Sequence, residues 1–529
     1  MKQDEFRMHN IVDHLLGQEW SKKKISEKKF DEMFNIDGIP LSWFYRRLLV
    51  SHIIPKKFRI TYLLNKLTSN KKISISEKIK FTFLNLFYRK ALWLNENIKL
   101  NLAKRSHPIN REKKKHALFL IPSNHFNSRN DSAFRVNTIV EKLGSKNIEP
   151  IQLVFDPLSM RSYKKIIDSK KTIYDFVDHK TIKKAKKKSN ELYKNWKDVT
   201  EKEKLIFFSY KESSLWPYFK YTLNFFFSRE FLFYQCLYYE ALHKVVKQEL
   251  VESVILTSQN SIFEKALLAV AKLHDIPVVL VQHGLGEGVV NPDIFQNTKI
   301  AVFGGMSKKR LLKVGISENN ITVVGPIIFD EISRYKKLKK EEPKKEKNEI
   351  MIITEPFVES NRVSKNKYFT YIKKIIREIN TIDKVNVTIK LHPSEKGLET
   401  YKKIVKEMSY NNVKVTQKVG SSYLYQSIIE SDLVIEFGST VAVEAMILDV
   451  PVITTNFCPI SGGNYDLIQQ CEGTYKVDHR EDISKKITDI LGNDSLKEQR
   501  KKAIEYMCGD IDGKASERIT EIIRGNFRK

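Results

Sequence analysis

Short apolar runs recur along the chain from Ala117 onwards and alternate with stretches of helical periodicity. Such runs, rich in β-branched and aromatic side chains, are typical of buried strands, and their alternation with helices is typical of a parallel α/β sheet. The first group of predicted strands comprises the segments ALFLI, PIQLVF, LIFFSY, SVILTS, PVVLVQ, KIAVFG and ITVVG.

A charged segment interrupts this alternation. The residues YKKLKKEEPKKEKNE contain almost no large apolar side chain and include Pro343, which favours a solvated linker. Beyond them EIMIIT, VNVTIKL, VKVT, LVIEF and PVITT predict a second set of strands. We therefore predict a Rossmann-like domain over 116–335, a linker over 336–349 and a second Rossmann-like domain over 350–529, whose last helix could return to the first domain.

Residues 1–115 differ in pattern from the rest of the chain, and we predict that they form a basic α-helical extension. Between Leu41 and Lys115 there are 19 Lys and Arg against 3 Asp and Glu. The segment Phe81–Leu100 predicts an amphipathic helix. That helix could lie on an anionic membrane surface or pack on the domain that follows, and the pattern leaves both open. Its predicted apolar face comprises Leu84, Phe87, Ala91, Leu94 and Ile98.

The whole chain is basic too, with 92 Lys and Arg against 63 Asp and Glu and a net charge of +29. This excess indicates an anionic partner, and a phosphorylated substrate or a phospholipid surface fits better than nucleic acid, because the basic runs lack interleaved stacking aromatics. The start MKQDEFRMHNIVDH lacks the pattern of a secretory signal, and no uninterrupted apolar stretch is long enough to span a bilayer. We expect a cytoplasmic protein, at most peripheral on the inner face of the membrane.

Polar residues that directly follow a predicted strand are candidates for a binding site, because ligands bind at the carboxyl ends of parallel strands. PVVLVQHGLGEG places His283 and Glu287 after one strand. A histidine there can take a proton from an acceptor hydroxyl, although a structural role is as probable from its position alone. FLIPSNHFNSRND places Asn124, His125 and Arg129 after the first strand, where we predict acceptor binding.

Two further strand ends suit the phosphate of a nucleotide donor. In VTIKLHPSEKG, Lys390 and His392 lie at the end of the strand, which Pro393 terminates. These basic groups could offset the charge on a leaving nucleotide. The alternative interpretation is an ordinary turn at the end of a strand. The other strand end lies in SDLVIEFGSTVAVEAM. The start of the helix that follows this strand could bind an anion, and Glu444, one turn further on, could reach a ribose. The loop residues are Gly438, Ser439 and Thr440, and a Ser-Thr pair there is also a common helix cap.

Motifs of several other chemistries are absent from the sequence. There is no GxxxxGK[ST] loop, no GxGxxG after a strand, no HExxH, no GxSxG and no DxD-like pair at the strand ends. The four cysteines show no CxxC spacing, which argues against a zinc site. We therefore predict no cofactor and no required metal.

Taken in order, QHG, ITVVGPIIFD, KLHP and FGSTVAVEAMILDVPVI resemble the family of capsule and teichoic-acid transferases, which includes CDP-glycerol glycerophosphotransferases, capsule polysaccharide transferases and bacterial polysialyltransferases. The resemblance spans Val254 to Thr454. It implies a GT-B fold of two Rossmann-like domains facing a cleft, metal-independent transfer, and a donor seated mainly in the second domain.

The resemblance also implies roles for individual residues. His392 and Pro393 match a His-Pro motif that touches the donor phosphate, and Ser439 and Thr440 match a Ser-Ser/Thr motif with the same task. His283 matches the proposed base of the glycerophosphotransferases. Glu287 with its following glycine is similar to the acidic-Gly motif of sialyltransferases, although displaced beside QHG, so the base stays open between the two residues.

The predicted function is transfer of a sugar, or of glycerophosphate, from a CMP-, CDP- or UDP-linked donor to a lipid-linked or polymeric cell-surface glycan. Thr354-Glu355-Pro356 replaces the longer Pro-Thr-Arg stretch of the glycerophosphotransferases, so CDP-glycerol is not fixed as the donor. One alternative is a sugar-nucleotide epimerase of the same fold, which needs acidic catalytic residues that the pattern does not place. Another is a basic nucleic-acid- or membrane-binding protein without activity.

Overall fold

A computed structural model describes most of the chain, and contacts divide the described residues into two compact units. The first lies within Met1–Val281, Pro292–Lys299 and Thr520–Lys529, and the second within Gln282–Asn291 and Ile300–Ile519. The described residues are 19–20, 23–25, 27–45, 75–103, 115–122, 126–127, 132–133, 136–155, 170–210, 213–259, 261–285, 297–338, 346–360, 362–457 and 464–527.

The N-terminal part of the first unit contains two short antiparallel hairpins as well as helices. The strands are β1 (Lys24–Ile25), β2 (Lys28–Lys29), β3 (Asn35–Ile36) and β4 (Ile39–Pro40). The segment is tied to the rest of the unit by the buried ammonium of Lys265, which donates hydrogen bonds to the backbone carbonyls of Trp43 (2.6 Å) and Phe44 (3.1 Å). The basic extension predicted as helical therefore carries strands too.

The first sheet has seven strands in the order β15-β14-β13-β12-β5-β8-β9. Every strand pair whose register is defined in it is parallel. Two two-stranded antiparallel pairs, β6 with β7 and β10 with β11, accompany it. In chain order the strands are β5 (Lys115–Pro122), β6 (Phe126–Asn127), β7 (Ser132–Ala133), β8 (Ile148–Phe155), β9 (Lys171–Thr172), β10 (Ser209–Tyr210), β11 (Ser213–Ser214), β12 (Val251–Leu256), β13 (Val278–Val281), β14 (Thr298–Val302) and β15 (Ile321–Val323).

The second sheet lies in the second unit and has six parallel strands in the order β18-β17-β16-β19-β20-β21. Ile350 and Ile352 pack into one apolar core and Met351 and Ile353 into another, so the central strand is buried on both faces. This explains its uninterrupted apolar sequence. The strands are β16 (Asn348–Ile353), β17 (Val385–Lys390), β18 (Val413–Thr416), β19 (Leu433–Glu436), β20 (Val452–Thr455) and β21 (Tyr475–Val477).

Helices accompany both sheets. In chain order they are Phe30–Met33, Leu41–Tyr45, Ile75–Leu102, Asn137–Gly144, His179–Asp198, Glu201–Phe207, Trp216–Phe226, Arg229–Gln248, Ile262–Leu273, Gly305–Lys313, Ile332–Leu338, Lys365–Ile379, Leu398–Met408, Ser421–Ile429, Val441–Ile447, Asn464–Gln469, Ile483–Gly492, Lys497–Cys508 and Ala515–Gly525. Within the described residues, short 3-10 helices span Ile173–Phe176, Glu318–Asn320 and Ile327–Phe329. Among the described residues, none of the helices has the length and apolar character required to cross a bilayer.

The α/β class predicted from the sequence is confirmed, and the described residues contain two parallel sheets and divide into two compact units. One predicted strand is wrong: the first three residues of LIFFSY belong to the helix Glu201–Phe207, and only its last two residues form β10. A capping box starts that helix, because the Thr200 hydroxyl accepts from the Glu203 N–H (3.2 Å) and the Glu203 carboxylate accepts from the Thr200 N–H (2.7 Å). The cap outweighs the β-like composition of the run.

The helix Ile75–Leu102 is held against the first unit by polar contacts. The carboxylate of Glu96 is buried and accepts hydrogen bonds from Lys99 (3.1 Å), from the hydroxyl of Tyr174 (2.7 Å) and from the hydroxyl of Tyr238. About two turns earlier, Arg89 binds Glu230 through two hydrogen bonds. A buried ion pair with satisfied hydrogen bonds fixes a helix in one orientation, because rotation of the helix would leave a buried charge without its partners.

Replacing Glu96 with alanine is expected to weaken this attachment, since the Lys99 ammonium would be left buried without its carboxylate. Loss of one partner of a buried pair costs about 3–5 kcal/mol. We expect the amides of residues 75–102 to exchange with deuterium much faster in Glu96→Ala than in the wild type. The exposed Glu191, which pairs with Lys188 at the surface, serves as the control, and Glu191→Ala should leave that exchange unchanged. Equal protection of the helix in both variants would contradict the anchoring role of Glu96.

Candidate functional site

Polar residues gather where the strands of the second sheet end. Parallel strands present their carboxyl ends at one edge of a sheet, and β16, β17, β19 and β20 are neighbours in it. The register places the last residue of β16, Ile353, opposite the last residue of β17, Lys390. The polar residues that follow these strand ends are Thr354, Glu355, His392, Gly438, Ser439 and Thr440.

The turn after β17 is built around the buried carboxylate of Glu395. Its Oε2 accepts from the backbone N–H of His392 (2.9 Å) and from the hydroxyl of Thr354, and its Oε1 accepts from the hydroxyl of Tyr401 (2.8 Å). Burial raises the pKa of Glu395 to about 7, against the opposing effect of these hydrogen bonds. The sequence analysis missed Glu395, although its place three residues after a strand-end histidine was a usable signal.

His392 has a defined tautomer in this turn. Its Nδ1 accepts a hydrogen bond from the backbone N–H of Ser394 (3.1 Å), and the Ser394 hydroxyl lies 2.6 Å from the same nitrogen. With Nδ1 as acceptor, the neutral ring carries its proton on Nε2, the form that can donate to a phosphate oxygen. Pro393 is exposed in the turn, and Lys390 is buried, with its ammonium donating to the backbone carbonyl of Leu391 (3.2 Å). Burial lowers the pKa of Lys390.

The loop after β19 is held by a second buried carboxylate, that of Glu436. Its Oε2 accepts from the backbone N–H groups of Gly438 and Ser439, the latter at 2.5 Å, and its Oε1 accepts from the hydroxyl of Thr454 (2.5 Å). Gly438 has a φ of +103°, a conformation that L side chains rarely adopt. Burial raises the pKa of Glu436 to about 7. We predicted an anion site at this helix start. In this structure the backbone N–H groups of Gly438 and Ser439 bind the carboxylate of Glu436 instead.

The helix that begins after this loop, Val441–Ile447, starts without a side-chain cap, since the side chain of Thr440 makes no hydrogen bond of that kind. Ser439 is buried; its hydroxyl accepts a hydrogen bond from the backbone N–H of Val441 (3.4 Å) and lies beside the carboxyl group of Glu355. Thr440 is only partly buried. The two hydroxyl groups therefore differ. That of Ser439 interacts with the carboxyl group of Glu355, whereas that of Thr440 does not cap the helix.

Glu355 joins the two loops. Its carboxyl group lies within electrostatic range of His392 on one side and beside the hydroxyl group of Ser439 on the other, and burial raises its pKa above the usual value for glutamate. Its backbone N–H donates to the hydroxyl of Tyr368 (3.3 Å), which fixes the start of the segment after β16. Sequence analysis noted Glu355 only as a departure from a family motif. The structure makes it an acidic group at the edge of the sheet.

Glu444 lies one helical turn beyond Thr440, as predicted from the spacing. Its Oε2 atom is buried and has no hydrogen-bond partner within the part of the chain that the structure describes. Burial raises its pKa to about 8. A buried carboxyl oxygen without a donor costs free energy, and a ligand that brings hydroxyl groups would satisfy it.

His283 follows β13, in a turn that Gln282 fixes. The Gln282 side chain accepts from the backbone N–H of Phe303 (2.8 Å) and donates to the backbone carbonyl of Gly284 (2.8 Å). His283 is partly buried, with a buried Nδ1. The other predicted base, Glu287, lies outside the described residues. The same holds for the predicted acceptor-binding residues Asn124, His125 and Arg129.

Comparisons with known proteins bear on the second unit above all. A family model described as UDP-N-acetylglucosamine 2-epimerase matches residues 302–524, less than half of the chain, and this stretch contains the whole second sheet and the site at its edge. No curated protein matches the chain. The match is to a different family from the capsule and teichoic-acid transferases that the motifs resemble.

Solved structures similar to the chain include MnaA, a UDP-GlcNAc 2-epimerase and a MurG. The S. aureus MnaA–UDP complex is 14% identical, with a TM-score of 0.45, over 78% of this chain and 97% of that one. The UDP-GlcNAc 2-epimerase of Methanocaldococcus jannaschii is 16% identical, with a TM-score of 0.45, over 78% and 99%. MurG of Acinetobacter baumannii is 12% identical, with a TM-score of 0.48, over 78% and 99%. These values are too low to support an inference about ligand or reaction.

The buried Glu436 should make the stability of the protein depend on pH. Its folded-state pKa of about 7 lies above the ordinary value of 4.5, so the folded protein holds a proton that the unfolded chain releases, and stability falls as pH rises between these values. Glu436→Gln keeps the shape and removes the titration. We expect its free energy of unfolding, relative to wild type, to rise on the order of 3 kcal/mol between pH 4.5 and pH 7.

Urea unfolding at a series of pH values measures this difference. The exposed Glu472, on the segment before β21, provides the matched control, because Glu472→Gln should follow the wild-type pH dependence. A Glu436→Gln curve parallel to that of the wild type would show that the loop after β19 is not held by a titrating carboxyl group.

Proposed function

We propose that the protein is an enzyme that acts on a nucleotide-diphosphate sugar and binds the nucleotide at the carboxyl edge of the second sheet. The observation that carries the proposal is the buried, unpartnered Oε2 of Glu444, one turn after Ser439 and Thr440. The vicinal hydroxyls of a ribose are a matched pair of donors for such a carboxylate. In the same edge the Nε2–H of His392 is the donor for a phosphate oxygen.

Uracil is the base that we propose for the nucleotide. The family model that matches 302–524 is one for an enzyme of UDP-N-acetylglucosamine, and this stretch includes Glu355, His392, Ser439 and Glu444. The excess of basic side chains in the chain favours an anionic substrate of this kind. Sequence motifs alone left CMP, CDP and UDP open.

Epimerisation at the carbon next to the anomeric centre is the reaction that the family model favours. Inverting a carbon that bears hydrogen requires a group that removes a proton and one that returns a proton on the other face. Glu355 is our candidate for one of them, because burial raises its pKa toward neutrality and it lies beside His392 and Ser439. The acidic residue that the sequence analysis could not place for an epimerase thus has a candidate.

Transfer of the sugar to a glycan acceptor is the second candidate reaction. The order of QHG, KLHP and GSTVAVEA along the chain favours it. In this mechanism His283 or Glu287 removes the proton of the acceptor hydroxyl, while His392 stabilises the departing nucleotide. The nucleotide site is the same for both reactions, so binding tests the common proposal and turnover separates the two.

Glu444 provides the binding test. We expect UDP to bind the wild type more tightly than CDP, CMP or GDP do, and Glu444→Gln to weaken UDP binding about 10- to 100-fold, because charge-assisted hydrogen bonds to the ribose are lost. Wild-type affinity should rise as pH increases through about 8, where the carboxyl group ionises, and the Glu444→Gln affinity should lack that rise. Isothermal titration calorimetry at several pH values gives both results.

The exposed Glu399 supplies a control for the loss of a carboxylate elsewhere in the unit, and Glu399→Gln should bind UDP as the wild type does. Thermal melting of the free proteins checks that Glu444→Gln is folded. Equal UDP affinity in wild type and Glu444→Gln, or no binding of any nucleotide, would remove the basis of the proposal.

Turnover distinguishes the two reactions. With UDP-N-acetylglucosamine in D₂O and no acceptor, an epimerase yields the C2 epimer with deuterium at that carbon, which proton NMR detects. A transferase releases UDP in proportion to added glycan acceptor and leaves the unreacted sugar undeuterated. Glu355→Gln is expected to abolish epimerisation while UDP still binds. Epimerisation at the wild-type rate in Glu355→Gln would exclude it as the acid–base group.

A further inference from the structure

The helix Ile75–Leu102 turns a row of large apolar side chains away from the protein. We call this row the apolar stripe. Each of its six side chains is between 50% and 68% exposed, so none is shielded by the described part of the chain as a core residue would be. The stripe comprises Ile79, Phe83, Leu86, Phe87, Trp93 and Leu94.

The stripe covers a single face of the helix. With about 100° between successive residues, its six members fall within an arc of about 120°. Phe81 and Lys99, both buried, lie on the opposite side of the helix. Glu96 and Arg89 lie between that side and the stripe, where they pair with groups of the first unit. A helix on the surface of a globular protein ordinarily buries its large apolar side chains. This helix instead exposes six of them, and its polar contacts to the first unit hold it in that orientation.

The predicted apolar face differs from the stripe by a rotation of the helix. Phe87, Ala91 and Leu94 of that predicted face are exposed, while Leu84 and Ile98 are partly buried at its margin. The sequence therefore located the helix and its amphipathic character, but not the direction in which the apolar side chains point. The contacts of Glu96 and Arg89 with the first unit set that direction, and they point the stripe outwards.

The composition of the stripe suits a lipid surface. It combines a tryptophan and two phenylalanines with aliphatic residues, which is typical of a helix that lies in the interface of a bilayer. Lys90 lies inside the arc and Lys80 at its border, and both side chains are exposed without an ion pair in the described residues. Long basic side chains can keep their ammonium groups in the headgroup region while their stems stay among apolar neighbours.

The charge of the segment that contains the helix indicates what binds the apolar stripe. The segment Leu41–Lys115 carries 19 Lys and Arg against 3 Asp and Glu, so it is attracted to an anionic surface. A second copy of the chain would bring two such segments together, and like charges repel. An anionic bilayer satisfies both the apolar stripe and the charge around it.

We propose that the apolar stripe binds the surface of an anionic phospholipid bilayer, with the helix lying in the plane of the interface. The helix does not cross the membrane, in keeping with its charged inner face. The first unit is held on the bilayer through the pair of Glu96 and Lys99 and its tyrosine partners, which join the helix to the unit. This proposal is independent of the reaction proposed above.

Flotation of the full chain with vesicles tests the proposal. We expect binding to phosphatidylcholine vesicles that contain about one-third phosphatidylglycerol, and at least about tenfold weaker binding to phosphatidylcholine alone. Phe83→Gln combined with Leu94→Gln should weaken binding to the anionic vesicles at least about tenfold. The matched control is Ile206→Gln combined with Val419→Gln, two side chains that are as exposed and lie elsewhere. Failure of the wild type to float, or equal loss in both double variants, overturns the proposal.

Tryptophan fluorescence locates the contact without relying on a change in affinity. Of the five tryptophans, Trp93 is exposed and the other four, Trp20, Trp43, Trp196 and Trp216, are buried. Brominated lipids quench tryptophans that enter the bilayer, so we expect quenching in the wild type and none in Trp93→Phe. Equal quenching in both proteins would place the contact elsewhere. A stripe variant that changes the mass measured by light scattering, with unchanged flotation, would identify a second copy as the occupant and refute the lipid proposal.

Discussion

The carboxylate of Glu436 is the interaction on which the arrangement of the candidate site depends. It is buried at the end of β19 and draws the backbone N–H groups of Gly438 and Ser439 toward itself, which sets the path of the loop into the helix Val441–Ile447. Through Ser439 the loop meets Glu355, and through Glu355 it meets the turn that carries His392. Removing this one carboxylate would release backbone donors on which each later contact relies.

The site is unusual in its electrostatics, since four glutamates crowd an edge that we expect to bind a diphosphate. Burial raises the pKa of each of them, because a buried negative charge loses its hydration. A carboxyl group that holds a proton does not repel a phosphate, so the acidic composition of this edge is compatible with the anionic substrate proposed above. The four glutamates are Glu355, Glu395, Glu436 and Glu444.

Periodicity was enough to predict the two sheets, because strands buried on both faces have uninterrupted apolar runs that little else in the chain resembles. The turn residues were harder to predict. Glu395 and Glu436 look like ordinary strand-end polar residues in the sequence, and only the fold shows that their oxygens accept from backbone N–H groups. The helix at Glu201 was missed for a related reason: a cap at Thr200 outweighs the composition of the run that follows it. Local hydrogen bonds of side chains to backbone decide such cases, and residue composition does not record them.

The hydrogen bonds from Lys265 to the carbonyls of Trp43 and Phe44 also have a consequence for folding during synthesis on the ribosome. The two ends of this contact are 222 residues apart in the chain for Trp43. At about 5–20 residues per second, a ribosome needs roughly 10–40 s to make the intervening stretch. For that time Trp43 and Phe44 lack the helix Ile262–Leu273 that holds them in the folded unit. Apolar side chains that stay exposed during synthesis make a nascent chain prone to aggregation, which is the condition that chaperones counter.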